Sequence, residues 1–179
     1  MLSGNRIART DLYCSPDRRH PFFQQAASSY DLELHSQTGN DLGERMSNAL
    51  QKTLENNTLA VIIGSDCPPL DLAYLHSAFH ALEQGAEAVI GPATDGGYVL
   101  LGLRRFEPAI FTDIAWGTDS VLARTRDRLQ MLGFSWVELD TLWDLDRPED
   151  LLLHREQLST YLEPGSRAPW GRTTVLTPG

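Results

Sequence analysis

The stretch that most limits what this chain can fold into is Val61-Ile-Ile-Gly-Ser-Asp-Cys-Pro-Pro-Leu70. A short β-branched run that stops at a glycine and is closed by two prolines is typical of a strand buried on both faces of a parallel sheet. Ligands of open α/β sheets bind just beyond the carboxyl ends of such strands. Asp66 lies at this position and is a candidate site residue. An Asp that only hydrogen-bonds the turn would explain the same pattern.

Strand-like apolar runs alternate with helical periodicity along the chain, which is the pattern of βαβ units. We therefore expect an α/β fold with a mostly parallel sheet, forming one domain over residues 1–163. The Pro-, Gly- and Arg-rich residues 164–179 predict a flexible tail. The periodicity predicts strands over 7–13, 31–35, 59–64, 86–90, 98–103 and 134–139, and helices over 21–27, 41–55, 71–85, 119–132 and from Pro148.

Composition excludes several classes of protein. The net charge is −9 and no basic stripe is visible, which argues against a nucleic acid polymer as partner. No run approaches the roughly 20 apolar residues that span a bilayer, and the first residues lack the apolar core of a signal peptide. We therefore expect a cytoplasmic protein without a membrane partner. Cys14 and Cys67 are too few for a disulfide framework.

Two glycine-broken loops are candidate binding segments. Residues 36–46 run into a helix start, where free N–H groups could bind an anion or a base edge and Gln37 offers both a donor and an acceptor. A plain connection capped by Asn40 or Asp41 would explain this loop as well. Residues 91–98 contain an Asp-Gly-Gly turn, which suits either close approach of a ligand or a simple hairpin.

The third motif, Trp143-Asp-Leu-Asp-Arg-Pro-Glu-Asp150, carries two spaced carboxylates. Asp146 followed by Glu149, with a proline in the first turn, is a helix start with capping-box spacing. A cap does not explain Asp144, which in an extended segment points to the same side as Asp146. Together with Asp66, these carboxylates would form the oxygen-rich site that Mg²⁺ or Mn²⁺ prefers.

Five motifs follow one another along the chain: Gln37-Thr-Gly-Asn-Asp-Leu-Gly-Glu-Arg-Met46, Ile63-Gly-Ser-Asp-Cys-Pro68, Gly91-Pro-Ala-Thr-Asp-Gly-Gly-Tyr98, Trp116-Gly-Thr118 and Asp144-Leu-Asp-Arg-Pro-Glu-Asp150. With these motifs in order, from about Tyr13 to Leu153, the chain resembles a bacterial glycosyltransferase-A-like family of uncharacterised transferases associated with radical SAM and selenium-related domains. More distantly, it is similar to the guanylyltransferases of molybdenum-cofactor and 2-phospholactate chemistry.

The resemblance implies a nucleotide-diphospho-sugar transferase fold with a three-layer α/β/α arrangement and a divalent metal. It also implies a nucleotide or nucleotide-sugar donor and a small-molecule acceptor. Asp66 and Asp95 are then the catalytic carboxylates, and Asp66 and Asp146, joined by Asp144, are the metal ligands. The nucleotide side comprises Gln37, Leu42, Gly43 and Ser65, and the acceptor side comprises Asp95, Gly96, Gly97 and Tyr98.

The beginning of the chain departs from this family, whose members open with a buried first strand and a basic loop around the phosphates. We therefore expect an N-terminally truncated fold with weak or absent nucleotide turnover. Loss of an interior strand would leave unpaired edges that the native state must cover. Dimerisation, or replacement by residues 7–13, would cover them, and we expect a homodimer.

Two functional interpretations from different classes stay open. In the first, the chain is a metal-dependent transferase of glycosyl or nucleotidyl groups. In the second, it is a non-catalytic relative that serves as a binding or assembly module, with its motifs retained as turns and caps. Glycosyl and nucleotidyl transfer both use a metal-held diphosphate on this architecture, so the sequence does not separate them.

Overall fold

A computed structural model describes residues 8–145, 148–155, 158 and 174–178. Each strand and helix predicted from periodicity up to Leu153 is present, with ends that differ by a few residues. The elements are β1 (Ala8–Cys14), α1 (Pro21–Tyr30), β2 (Glu33–Ser36), α2 (Leu42–Leu54), β3 (Ala60–Ile63), α3 (Leu72–Glu83), β4 (Ala88–Pro92), β5 (Tyr98–Leu103), a 3₁₀ turn (Pro108–Phe111), α4 (Val121–Met131), β6 (Trp136–Glu138), α5 (Pro148–Leu153) and β7 (Thr174–Pro178).

The seven described strands form one sheet in the order β2-β1-β7-β3-β5-β4-β6. Strands β1, β2, β3, β4 and β6 point the same way, but only the β1–β2 and β4–β6 pairs are parallel neighbours, so the sheet is mixed rather than mostly parallel in its pairing. Strands β5 and β7 point the opposite way, and both neighbours of β3 are therefore antiparallel to it. The expectation that β3 is paired within a parallel sheet is wrong, although β3 is buried as expected.

Helices α2 and α3 begin where short polar side chains satisfy free backbone N–H groups. The Asp41 carboxylate accepts from the Glu44 N–H at 2.8 Å, and the Asp71 carboxylate accepts from the Tyr74 N–H at 2.8 Å. The Glu44 carboxylate in turn accepts from the Asn40 N–H at 2.7 Å, which completes a capping box one residue wider than usual. The alternative that Asp41 caps a strand-to-helix connection is confirmed.

The core lies on both faces of the sheet, because successive strand residues point to opposite sides. On β3, Ile62 packs with the apolar face of α2 and with α4, whereas Val61 packs with α3. The same alternation places Ile90 and Val89 of β4 on opposite faces. The three-layer α/β/α arrangement is therefore confirmed, and it leaves the carboxyl ends of β3 and β4 at one edge of the molecule.

Strand β7 corrects the prediction of a tail over residues 164–179. Residues 174–178 lie between β1 and β3 and pair antiparallel with both, so the prediction is wrong for this segment. The surrounding Pro and Gly residues obscured a Thr-Val-Leu-Thr run of high strand propensity, and two open strand edges supply its partners. Residues 7–13 or a dimer were expected to cover the edges left by a missing interior strand; in the structure β7 lies in the interior of the sheet, between β1 and β3. The rest of the predicted tail lies outside the described residues.

Residues 93–97 connect β4 to β5 in an antiparallel hairpin, which confirms the hairpin alternative for the Asp-Gly-Gly turn. In the described part of the chain, we find no helix with the length and apolar character required to cross a bilayer.

A substitution in the interior strand β5 tests the described core directly. We expect Leu101→Ala to lower the free energy of unfolding by about 2–5 kcal/mol, because Leu101 is fully buried and its loss leaves a cavity. Urea unfolding followed by circular dichroism measures the change. Leu152→Ala is the matched control: this side chain is 77% exposed, and its loss should cost no more than about 0.5 kcal/mol. Equal losses in the two variants would contradict the described core.

Candidate functional site

A cleft of about 850 Å³ opens at the carboxyl ends of β3 and β4. Residues 62–66 at the end of β3, the loop after β4 and residues 116–119 before α4 form its walls. Asp144 and the cleft-facing residues of α5 close the remaining side. The cleft lies where α/β sheets bind their ligands.

Asp66 lies at the end of β3 because Gly64 leaves room for it. The Gly64 N–H donates to the carbonyl of Val99 at 2.9 Å, which continues the pairing of β3 with β5. A Cβ atom on Gly64 would lie 2.8 Å from the Asp66 Oδ1. Glycine at this position therefore lets the carboxylate fold back over the end of the strand. Asp66 is exposed to the cleft.

Asp144 is brought to Asp66 by a backbone contact. The Leu145 N–H donates to the Asp66 carbonyl at 2.8 Å. This hydrogen bond holds the segment after β6 against the end of β3. Burial raises the pKa of the neighbouring Cys67 thiol to about 12, and the negative charges of Asp144 and Asp66 add to this shift. Both carboxylates also line the cleft. Asp146, the other predicted metal ligand, lies outside the described residues.

The loop that carries Asp95 is held in one conformation. The Asp95 Oδ1 accepts from the Gly97 N–H at 2.8 Å. Gly96 has φ +90°, and a Cβ atom there would lie 2.2 Å from the carbonyl oxygen of Asp119. The Leu122 N–H also donates to the Gly96 carbonyl at 2.9 Å, which joins the loop to α4. The absence of a side chain at Gly96 thus lets the backbone of this loop pack closely against the backbone of Asp119. This packing places Asp119 in the cleft lining.

Tyr98 begins β5 and lines the cleft, but its hydroxyl group is buried. This hydroxyl makes no hydrogen bond of normal geometry with the described residues. Burial raises its pKa, and the nearby Thr125 hydroxyl offsets part of that shift. The phenol is therefore neutral, and it contributes an apolar ring surface rather than an ionised oxygen.

Part of the cleft lining is apolar. Leu42 and Met46 of α2 and the indole of Trp116 form this part. Trp116 lies directly on Gly43: a Cβ atom there would be 2.2 Å from the indole Nε1 and Cε2. Phe111 stacks against the indole, with ring centroids 6.4 Å apart. Gly43 therefore contributes to the site by positioning Trp116. Trp116 belongs to one of the sequence motifs, but the sequence alone did not assign it to the site.

Not every residue predicted for the nucleotide side reaches the cleft. Ser65 lines it, but Gln37 does not, because its amide donates to the Tyr13 carbonyl at 3.1 Å. The Gln37 N–H also donates to the Cys14 carbonyl at 2.9 Å. Both bonds extend the pairing of β2 with β1 and hold Gln37 beside the strand.

Sequence reasoning missed several lining residues near α5. The imidazole of His154 lies in the cleft wall and stacks on Trp143, with ring centroids 4.0 Å apart and planes 4° from parallel. Asp150, one turn earlier, also lines the cleft. Because α5 follows Asp144 closely in sequence, the position of His154 depends on the same backbone contact that brings Asp144 to Asp66.

The cleft is strongly acidic. Repulsion between one carboxylate and one phosphate charge at 4 Å is about 4 kcal/mol at an effective dielectric near 20, so an anion would need compensating positive charge. Among the described residues of its lining there is no Lys or Arg. The lining carboxylates are Asp66, Asp95, Asp119, Asp144 and Asp150.

A second acidic group lies on the sheet, outside the cleft lining. Asp11 of β1 and Glu33 and His35 of β2 have ligand atoms within 4.8 Å of one another, since Asp11 and Glu33 are directly paired. Arg9 already forms ion pairs with Asp11, at 3.3 Å, and with Glu33. Lys52 contacts His35 Nδ1 at 3.2 Å. Because Arg9 and Lys52 already contact these three side chains, we interpret the cluster as an ion-pair network.

Comparison with known proteins identifies the family. The model of the family described as "uncharacterized protein conserved in bacteria (DUF2064)" matches residues 2–118, which is more than half of the chain. The chain belongs to the DUF2064 family. No curated protein matches it. The expected association with radical SAM and selenium-related domains stays a prediction.

A solved structure is similar to this DUF2064 chain over most of its length. It is that of a "putative nucleotide-diphospho-sugar transferase" from Desulfovibrio desulfuricans G20, with a TM-score of 0.72 and 29% sequence identity. The likeness covers 88% of this chain and 70% of that protein. The fold is therefore of the nucleotide-diphospho-sugar transferase type, as the resemblance implied.

The contact between Gly43 and Trp116 predicts a specific rearrangement. In Gly43→Ala, the added methyl group overlaps the indole, so we expect Trp116 to move and the unfolding free energy to fall by about 1–3 kcal/mol. The indole N–H signal of Trp116 in a two-dimensional NMR spectrum, assigned with Trp116→Phe, reports the movement. Gln51→Ala, on the exposed side of the same helix, is the control and should leave that signal in place. An unmoved signal in Gly43→Ala would contradict the packing.

Proposed function

We propose that this DUF2064 protein is a divalent-metal-dependent transferase that takes a glycosyl or nucleotidyl group from a nucleotide donor. The observation that carries this proposal is the convergence of Asp66 and Asp144 at the cleft through the bond from Leu145 to Asp66. The fold type and the name of the similar Desulfovibrio protein support the same class of reaction.

Asp66 and Asp144 would hold Mg²⁺ or Mn²⁺, with Asp146 as a further ligand. The chemistry of the donor set fits, because hard divalent cations prefer carboxylate oxygens and are often bound by one or two carboxylates plus substrate phosphates. Bound there, the metal would neutralise the diphosphate and stabilise its departure. The acidic lining supports this role, since the described cleft residues offer a diphosphate no lysine or arginine.

The apolar and acidic parts of the cleft lining suit the base and the diphosphate of a nucleotide. A base is a flat ring, and the apolar part with Leu42 and Trp116 offers a flat indole surface for it. The diphosphate would then point toward Asp66 and Asp144. Ser65 also lines the cleft and would donate its hydroxyl to a phosphate or ribose oxygen.

The loop that carries Asp95 would bind the small-molecule acceptor. Because one carboxylate oxygen of Asp95 accepts from the Gly97 N–H, the orientation of the side chain is fixed. We assign the second oxygen to the acceptor hydroxyl, whose proton it would accept during attack. Catalysis would otherwise depend on positioning and charge stabilisation.

Titration calorimetry with nucleoside diphosphates and nucleotide sugars, with and without Mg²⁺ or Mn²⁺, tests the proposal. We expect binding that requires the metal. Asp66→Asn and Asp144→Asn should each weaken it at least tenfold, or about 1.4 kcal/mol, because each removes a ligand charge. Asp140→Asn makes the same charge change at an exposed residue outside the cleft lining and should bind as the wild type does.

Two results would contradict the proposal. Nucleotide binding that is unchanged by metal removal or by both cleft substitutions would exclude the assigned metal ligands. Failure to bind any nucleotide, in a protein whose circular dichroism shows it to be folded, would instead favour the binding or assembly module.

A further inference from the structure

Strand β7 differs from the other described strands in its position in the sequence. The other six strands lie within residues 8–138, whereas β7 follows α5 and returns to the middle of the sheet. It separates β1 from β3 and is hydrogen-bonded to both. The sheet therefore consists of a β2-β1 pair and a β3-β5-β4-β6 group that β7 joins.

The register shows how completely β7 fills this position. Five residue pairs join it to β1, from Ala8 opposite Pro178 to Leu12 opposite Thr174. Three pairs join it to β3, from Val61 opposite Leu176 to Ile63 opposite Thr174. Neighbouring strands lie about 4.8 Å apart, so without β7 the two groups would leave a slot about one strand wide. Both edges of that slot would carry unpaired N–H and C=O groups.

Backbone pairing of this kind does not depend on which copy of the chain supplies the strand. The same hydrogen bonds form whether the inserted segment belongs to the same molecule or to another, as in strand addition to a sheet edge. The choice between the two is set by the connecting segment and by concentration. Helix α2 lies over both β3 and β7, so the slot has a helix on one face in either case.

The connecting sequence is long enough for either choice. Fifteen residues, 159–173, separate Leu158 from Thr174 and include two prolines and two glycines. An extended chain of that length spans up to about 50 Å, which reaches a neighbouring molecule. The inserted strand is only five residues long, so few backbone bonds must break to release it.

We propose that the slot between β1 and β3 is a strand-exchange site, filled by residues 174–178 of the same chain or of a second copy, and that exchange produces a strand-swapped dimer. For two segments joined by a connection of this length, the effective concentration within one chain is of the order of millimolar. The swapped dimer therefore forms when the protein folds at comparable concentrations, and the single chain fills its own slot when dilute.

A cysteine pair placed across β1 and β7 tests this inference. Arg9 and Thr177 are directly opposite in the register, so Arg9→Cys with Thr177→Cys can form a disulfide. Cys14 and Cys67 compete little, because burial raises their thiol pKa values to about 11 and about 12. After refolding and oxidation at about 10 µM, we expect a link within the monomer. At about 1 mM, roughly half of the product should be a disulfide-linked dimer.

Adding Leu176→Pro to the cysteine pair gives the control. Proline lacks the N–H group that a strand between two partners must donate, so both products should disappear. A linked dimer fraction that does not rise with concentration would overturn exchange. A dimer in which each subunit keeps its internal link would also overturn it, and the absence of any link would overturn the pairing itself.

Co-refolding of unlabelled and ¹⁵N-labelled wild-type chains avoids any effect of the substitutions on folding. We expect native mass spectrometry to detect mixed dimers only after refolding near 1 mM. Because separation of the two chains requires β7 to leave the slot, we expect these dimers to persist for at least minutes after dilution. Dimers that dissociate at once on dilution, or that never mix, would contradict the proposal.

Discussion

The bond from the Leu145 N–H to the Asp66 carbonyl, at 2.8 Å, is the contact on which the site depends. Asp66 and Asp144 lie far apart in sequence, and side chains with like charge do not approach each other without a restraint. A backbone bond supplies that restraint without using either carboxylate. It also fixes where the chain enters α5, and so where Asp150 and His154 join the cleft wall.

Holding carboxylates together costs free energy, because each additional negative charge repels the others. In a folded protein, such repulsion is offset elsewhere, here by the buried cores on the two faces of the sheet. Clusters of this kind persist at functional sites, where the charge serves a ligand. The second acidic group illustrates the contrast: Arg9 forms ion pairs with both Asp11 and Glu33, and Lys52 contacts the adjacent His35, so that group is already balanced within the protein.

Local signals predicted most of the fold. Helix α2 could be read from its apolar spacing and from Asp41, because capping and amphipathic burial are encoded within a few residues. That Asp66 and Asp144 lie at the cleft could be predicted for a similar reason, since each follows a recognisable strand or precedes a helix. Gln37 shows the limit: its amide suits a base edge, but pairing with Tyr13 depends on the neighbouring strand, which the loop sequence does not specify. Trp116 and Asp119 were missed because their roles come from contacts with Gly43 and Gly96, distant in sequence.

Strand β7 shows why sheet completion is the part of such a fold that sequence reasoning predicts least well. A central strand gains its stability from two partners, so its pairing is decided by which edges the rest of the chain leaves open rather than by its own composition. Residues 174–178 have strand propensity, but the prolines and glycines before them favour a tail when they are considered alone. Strands β1 and β3 leave a slot of matching width, and β7 is antiparallel to both. Since β3 leads directly into Gly64 and Asp66, the strand that completes the sheet also supports the backbone from which the cleft is built.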